Sequence, residues 1–165
     1  LPGTVTHLRA GDVIDDLKTM VKKPGVTTIA QLGALKSAYQ LSSIFYLGGT
    51  FNAIGGHNVL DPAGWTLPII SGPNIAVTNY EAHALHEAGG LKIVAHGREL
   101  ATLTEKLLAS PHLREEMGKK NAAWVKAQAA SIKKSLALIS SFSSPSCQPQ
   151  APFSPTHVRS LHPWF

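Results

Sequence analysis

The sequence predicts an α/β domain built on a parallel sheet. Four short apolar runs, Val26–Ile29, Ile44–Leu47, Leu67–Ile70 and Leu91–Ala95, have the length and composition of buried strands. The segments between them carry helical patterns and are too long for hairpins. Strands that alternate with helices form βαβ units, and such units make parallel sheets. In these sheets ligands bind outside the carboxyl ends of the strands.

The first 25 residues are the least legible. Val13 to Val21 has helical spacing, with Val13, Leu17, Met20 and Val21 on one side, and Pro24-Gly25 ends it. After the strand at Val26–Ile29, a helix is expected over Leu32–Leu41, with Leu32, Leu35 and Tyr39 on a common face. A short helix is expected between His57 and Trp65. Another is expected over Thr78–Ala88, capped by Thr78 or Asn79 and stopped by Gly89-Gly90. Arg98–Ala109 is helical, with Leu100, Leu103, Leu107 and Leu108 inward. Ser110 then caps a last helix that has Pro111 at its first position. Glu115 and Glu116 are expected in its first turn, where the helix dipole favours acids. Its apolar stripe is Leu113, Met117, Trp124, Ile132, Leu136 and Ile139. Residues 143–165 are rich in Ser, Pro and Gln and have no periodicity, so a disordered tail is expected after a domain at 1–142.

Composition narrows the function classes. A chain of 165 residues supports one domain with a real core. No apolar run approaches the roughly 18 residues that span a bilayer. Cys147 is the one cysteine, so no internal disulfide forms. Leu1 is not an initiator methionine, and the chain reads as a piece of a longer protein. The net charge of +5 suits an anionic partner, although a lysine-rich last helix accounts for most of it. Nucleic acid is not expected, because Arg and aromatic residues do not interleave and no binding motif occurs.

The chemistry concentrates in Leu47–Pro62, LGGTFNAIGGHNVLDP. Glycine pairs, Gly48-Gly49 and Gly55-Gly56, bracket a short segment that His57, Asn58 and Asp61 follow. A strand that runs through glycines into a helix start presents backbone N–H groups to an anion. Asn58 and Asp61 could instead only cap the helix, and His57 could only fix the loop. His83 and His86 form H-x-x-H on a helix, but no third ligand is evident, so no metal site is expected.

The run GG-T-F-x-x-x-GGHN-x-L-D-PA, Gly48 to Ala63, resembles the C-terminal domain of the Kdo (3-deoxy-D-manno-octulosonic acid) transferases. The resemblance continues more loosely through LPIISGPN and Gly89-Gly90 to about Ile139. It implies a Rossmann-like domain, the C-terminal half of a GT-B glycosyltransferase. It implies CMP-Kdo as donor, a lipid A precursor as acceptor, and no cofactor. It places CMP against two segments. One aligns with the family's N-x-L-E run and gives Asn58, Val59, Leu60 and Asp61, after Gly55, Gly56 and His57. Here Asp61 stands where the family has glutamate. The other aligns with D-T-x-G-E-L and gives Leu32, Gly33 and Ala34, of which Gly33 keeps the motif and Ala34 lacks the acid. The family's general base lies in the N-terminal domain, so no catalytic residue is expected here, and these 165 residues alone are expected to be inactive. The resemblance also implies a membrane surface as partner, at the cytoplasmic face of a bacterial inner membrane or in an organelle of a photosynthetic eukaryote. Two other readings fit the same residues: another GT-B nucleotide-sugar transferase or epimerase, and a non-catalytic nucleotide-binding remnant.

Overall fold

The computed structural model describes residues 4–8, 25–29, 33–56, 58–75 and 79–142, with the backbone alone for 4–8 and 79. The expected helix at Val13–Val21, the positions Leu32, His57 and Thr78, and the tail with Cys147 lie outside the described residues. Residue contacts divide the chain into two units, Leu1–Ala130 and Ser131–Phe165.

In the first unit the elements run β1 (Thr4–Leu8), β2 (Gly25–Ile29), α1 (Leu35–Leu41), β3 (Phe45–Leu47), α2 (Leu60–Gly64), β4 (Ile69–Ser71), α3 (Asn79–Glu87), β5 (Leu91–Ile93), α4 (Gly97–Ala109) and α5, which spans Pro111–Phe142. Every strand pair is parallel, as the alternation predicts. The strands do not form a single sheet, however. β3, β4 and β5 make one three-stranded sheet in that order, whereas β2 pairs with β1 in a separate two-stranded sheet. Two causes stand behind the difference. A partner for β2 exists in Thr4–Leu8, a short run in which Thr4, Val5 and Thr6 are β-branched. In addition, β2 is itself poorly covered, with Val26 about half exposed.

The three-stranded sheet is covered on both faces. Ile69 pairs with Phe45 and Leu91, so Phe45, Leu47, Ile69, Leu91 and Ile93 share one face with Val59, Ala63, Ala82 and Leu85. Ile44, Ile70 and Val94 share the other with Leu100, Leu103, Leu107, Leu113 and Met117. Ile69, Ile70, Leu85, Leu91 and Leu107 are completely buried, and each such side chain contributes about 1.5–3 kcal/mol of transfer free energy. Leu108, expected inward, is exposed, because α4 turns only a narrow stripe to the sheet.

The helix ends are fixed by side chains. His96 Nδ1 accepts from the Glu99 N–H, while Glu99 Oε2 accepts from the Ala95 N–H at 2.7 Å, which together cap α4. Ser110 Oγ accepts from the Leu113 N–H and caps α5, as expected. Arg114 Nη1 donates to the Leu107 and Leu108 carbonyls at 2.6 and 2.8 Å and closes the end of α4. Glu115 and Glu116 fall one turn later than expected, because Pro111 starts the helix and no acid lies within its first turn. They pair instead with Lys119 and Lys120 four residues on, and the Lys120 hydrogen bond lowers the Glu116 carboxyl from its ordinary value.

α5 is tied to the sheet through Asn121, which is fully buried. Its Nδ2 donates to the Leu67 carbonyl at 2.8 Å and to the Gly90 carbonyl at 2.9 Å, the residues that lead into β4 and β5. A Cβ on Gly90 would meet Asn121 Oδ1, so glycine is required for this approach. In the second unit the described residues are the last turns of α5. Ile132, Leu136, Leu138, Ile139 and Phe142 are exposed there, so the apolar stripe expected along the whole helix is buried only in the first unit. Among the described residues no helix is long and apolar enough to cross a membrane.

Replacing Asn121 by leucine keeps the volume and removes both donors. The Leu67 carbonyl then loses its hydrogen bond, so unfolding free energy should fall by about 1–3 kcal/mol. Urea denaturation with an unchanged m-value checks this; a loss below about 0.5 kcal/mol would show that α5 is held by apolar packing alone.

Candidate functional site

The loop after β3 is built around Thr50, which is fully buried. Its Oγ1 donates to the Leu47 carbonyl and accepts from the Gly72 N–H, each at 2.7 Å. Its own carbonyl accepts from the Asn74 N–H at 2.9 Å. One residue thus fastens the loop after β3 to the loop after β4. Gly72 must be glycine here, because a Cβ would stand 2.6 Å from the Thr50 carbonyl oxygen.

The two glycine pairs close this loop on itself. Gly49 and Gly55 both have positive φ, 78° and 73°, and a Cβ on Gly49 would stand 2.8 Å from the Gly55 carbonyl oxygen. Gly56 packs on Leu47 and Thr50. Among the described residues neither Gly55 nor Gly56 donates a backbone hydrogen bond to another backbone group. The loop then delivers the chain into α2. Asn58 Oδ1 accepts from the Leu60 N–H at 2.8 Å and from the Asp61 N–H at 3.4 Å, so asparagine caps this short helix. Val59, Pro62 and Ala63 are buried and pin α2 to the core. Asp61 points the other way. Its carboxylate makes no hydrogen bond or ion pair among the described residues.

Asn58 and Asp61 stand at the rim of a cleft of about 440 Å³ at the carboxyl end of β3. Leu35 and Tyr39 of α1 form one wall. Phe45, Tyr46, Leu47 and Gly48 form the floor. Tyr39 packs edge-on against Phe45 with ring centroids 5.7 Å apart, and Tyr46 stacks on Phe51 at 6.1 Å. Burial, and after it the charge of Asp61, pushes the Tyr39 phenol above its ordinary value of 10.0. The cleft is apolar with one carboxylate at its edge, a composition suited to a ring with hydroxyl substituents.

No protein-family model matches the chain. Individual proteins do. The Kdo transferase of Aquifex aeolicus is 37% identical over 92 residues, which is 55% of this chain and 26% of that protein. The Kdo transferase of Chlamydia pneumoniae is 30% identical over 118 residues, 71% of this chain and 27% of that protein. A solved structure, the C-terminal CMP-Kdo binding domain of WaaA from Acinetobacter baumannii, superposes with a TM-score of 0.58. It covers 73% of this chain and 60% of that domain at 21% identity, so it speaks to the fold. The chain is a homologue of the C-terminal domain of the Kdo transferases. It spans about a quarter of the length of the curated relatives it matches.

Within this Kdo-transferase homologue the ten positions singled out by sequence separate into groups. Asn58 and Asp61 meet at the cleft. Gly55, Gly56 and Val59 are buried behind it and shape the loop, and Leu60 is partly exposed beside it. Gly33, with φ of 85°, and Ala34 form the turn that starts α1. The Ala34 side chain packs with Ile29 and Ala38 rather than in the cleft, and its carbonyl accepts from the Ser37 and Ala38 N–H groups. Leu32 and His57 lie outside the described residues. The aromatic wall and floor, Tyr39, Phe45 and Tyr46, are what sequence reasoning passed over; their only signal was aromatic content next to the glycine motif. Among the described residues no group of three or more potential metal ligands occurs. His86 instead bonds the Leu91 carbonyl through Nδ1 at 3.1 Å.

The Thr50 clamp has a direct test. Thr50→Val keeps the shape and leaves the buried Gly72 N–H without its acceptor, at a cost of about 1–3 kcal/mol, whereas Thr50→Ser keeps both hydrogen bonds and should cost under about 1.5 kcal/mol. A loss larger for Thr50→Ser than for Thr50→Val in chemical denaturation would show that the methyl group, not the hydroxyl, does the fastening.

Proposed function

We propose that this chain is the donor-binding part of a Kdo transferase and holds CMP-Kdo at the cleft beside Asp61. The observation that carries the reading is the Asp61 carboxylate: it sits at a strand's carboxyl end, next to an apolar cleft, with no protein partner among the described residues. A carboxylate in that position accepts hydrogen bonds from both hydroxyls of a ribose and repels a phosphate. The ribose therefore faces Asp61, and the phosphate is directed away from it. The homology to named Kdo transferases, and the fold shared with a domain named for CMP-Kdo binding, support this assignment.

In the whole protein the reaction is the attack of an acceptor hydroxyl on the anomeric carbon of Kdo, with CMP as the leaving group. The acceptor in this proposal is a lipid A precursor, presented at the cytoplasmic face of a membrane. This chain's part is to bind and orient the nucleotide. None of its cleft residues is assigned as the general base.

Asn58 and Asp61 should separate cleanly in experiment. Asn58→Ala removes the α2 cap and should lower stability by about 1 kcal/mol. Asp61→Ala should leave the melting temperature nearly unchanged and weaken CMP binding tenfold or more, the loss of a charged hydrogen-bonding partner being about 1.5–3 kcal/mol. Asp61→Glu should retain binding. Calorimetric titration of CMP into the 165-residue chain, with UDP as the control that should not bind, decides the matter. Equal affinity of Asp61→Ala and the parent for CMP would reject the ribose role.

A further inference from the structure

Tyr39 combines features that packing alone does not explain. It is only 5% exposed, and its ring is held edge-on by Phe45. Its hydroxyl makes no hydrogen bond among the described residues. Tyr39 lines the same cleft as Asp61, and the Asp61 charge acts on its phenol. A buried tyrosine ring beside a cavity, with no hydrogen-bond partner for its hydroxyl among the described residues, can donate to a ligand oxygen.

Asp61 and Tyr39 differ in the one way that matters for recognising hydroxyl groups. A carboxylate only accepts hydrogen bonds. A phenol, protonated at neutral pH, donates one. A ribose cis-diol has two O–H donors and two oxygen acceptors. We propose that Tyr39 and Asp61 act as a matched donor–acceptor pair that reads this diol, with both hydroxyls donating to Asp61 and one oxygen accepting from Tyr39. Tyr39 is then a specificity-determining residue that favours ribonucleotides over deoxyribonucleotides. This rests on the assignment of the cleft to the nucleotide.

The test uses the full 165-residue chain, Tyr39→Phe, and three ligands: CMP, 2′-deoxy-CMP and 3′-deoxy-CMP. Phenylalanine keeps the ring and its contact with Phe45 and removes only the hydroxyl. CMP affinity should fall about three- to tenfold, the range of one neutral hydrogen bond. One of the two deoxynucleotides, the one lacking the oxygen that Tyr39 reads, should bind the parent and the variant equally. The melting temperature should stay the same or rise, because the lost hydroxyl had no protein partner. Unchanged CMP affinity in Tyr39→Phe would overturn the inference and leave the donor-site assignment standing. So would an equal loss for all three nucleotides, which marks a packing effect. Failure of the folded parent chain to bind CMP at all would overturn the donor-site assignment and this inference with it.

Discussion

A single buried hydroxyl holds the functional edge of this domain together. The carboxyl ends of β3 and β4 are otherwise joined by a short ladder of three residue pairs and by the Asn74 N–H bond to the Thr50 carbonyl. Thr50 Oγ1 extends that link past the sheet, because it accepts from Gly72 and donates to Leu47 at the same time. Everything downstream inherits its position from this point. The Gly49–Gly55 contact folds the loop back, Gly56 seats it on Leu47 and Thr50, and α2 starts where the loop ends. Asp61 reaches the cleft rim because Val59, Pro62 and Ala63 are held in the core one turn around the same helix. The glycines of the motif therefore serve packing first. A loop closed this tightly leaves Gly55 and Gly56 no backbone partners among the described residues.

The opposite edge of the sheet uses the same kind of device to a different end. Asn121 takes the place there that Thr50 takes at the carboxyl edge, a buried polar group that bridges two chain segments entering neighbouring strands. Nearby, Thr66 has a φ of 61°, a left-handed conformation that a β-branched residue adopts at a cost. Its carbonyl lies against Gly118, where a Cβ would not fit. The strain at Thr66 thus accompanies the close approach of α5 to the turn before β4. Asn121 Oδ1 is left without a donor at this edge, whereas at the carboxyl edge Asp61 and Tyr39, which form no side-chain hydrogen bond among the described residues, line a cleft. An unsatisfied atom sealed in the core only costs stability, whereas one that faces a cavity can be satisfied by a ligand.

How far the sequence revealed this structure depends on the range of the interaction involved. β3, β4 and β5 were legible because each is a short apolar run, and their parallel pairing followed from the helices between them. β1 was passed over although Thr4, Val5 and Thr6 are β-branched, because the run is short and its strand partner β2 is set by tertiary pairing. Nor could local pattern show that β2 would leave the main sheet, since partner choice among strands is decided by tertiary contacts. At the site, the GGHN motif marked Asn58 and Asp61 together but did not divide their work. Which of them caps α2 depends on the backbone angle at which the loop enters the helix, and only the structure fixes that. Tyr39 was placed on the correct face of its helix and is buried. What periodicity could not show is that it lines the same cleft as Asp61.

The charge distribution gives the cleft a direction. The protein carries a net charge of +5, yet the one formal charge among the cleft's lining residues is negative. Five lysines lie along α5, where Lys119 and Lys120 are engaged by Glu115 and Glu116. A nucleotide drawn in by the overall positive potential cannot place its phosphate at Asp61 without like-charge repulsion in a partly desolvated site. In the proposed donor site its hydroxyls bind there, and its phosphate is directed away from Asp61. Long-range attraction and short-range repulsion thus act on different parts of the same ligand, and together they leave one orientation favoured.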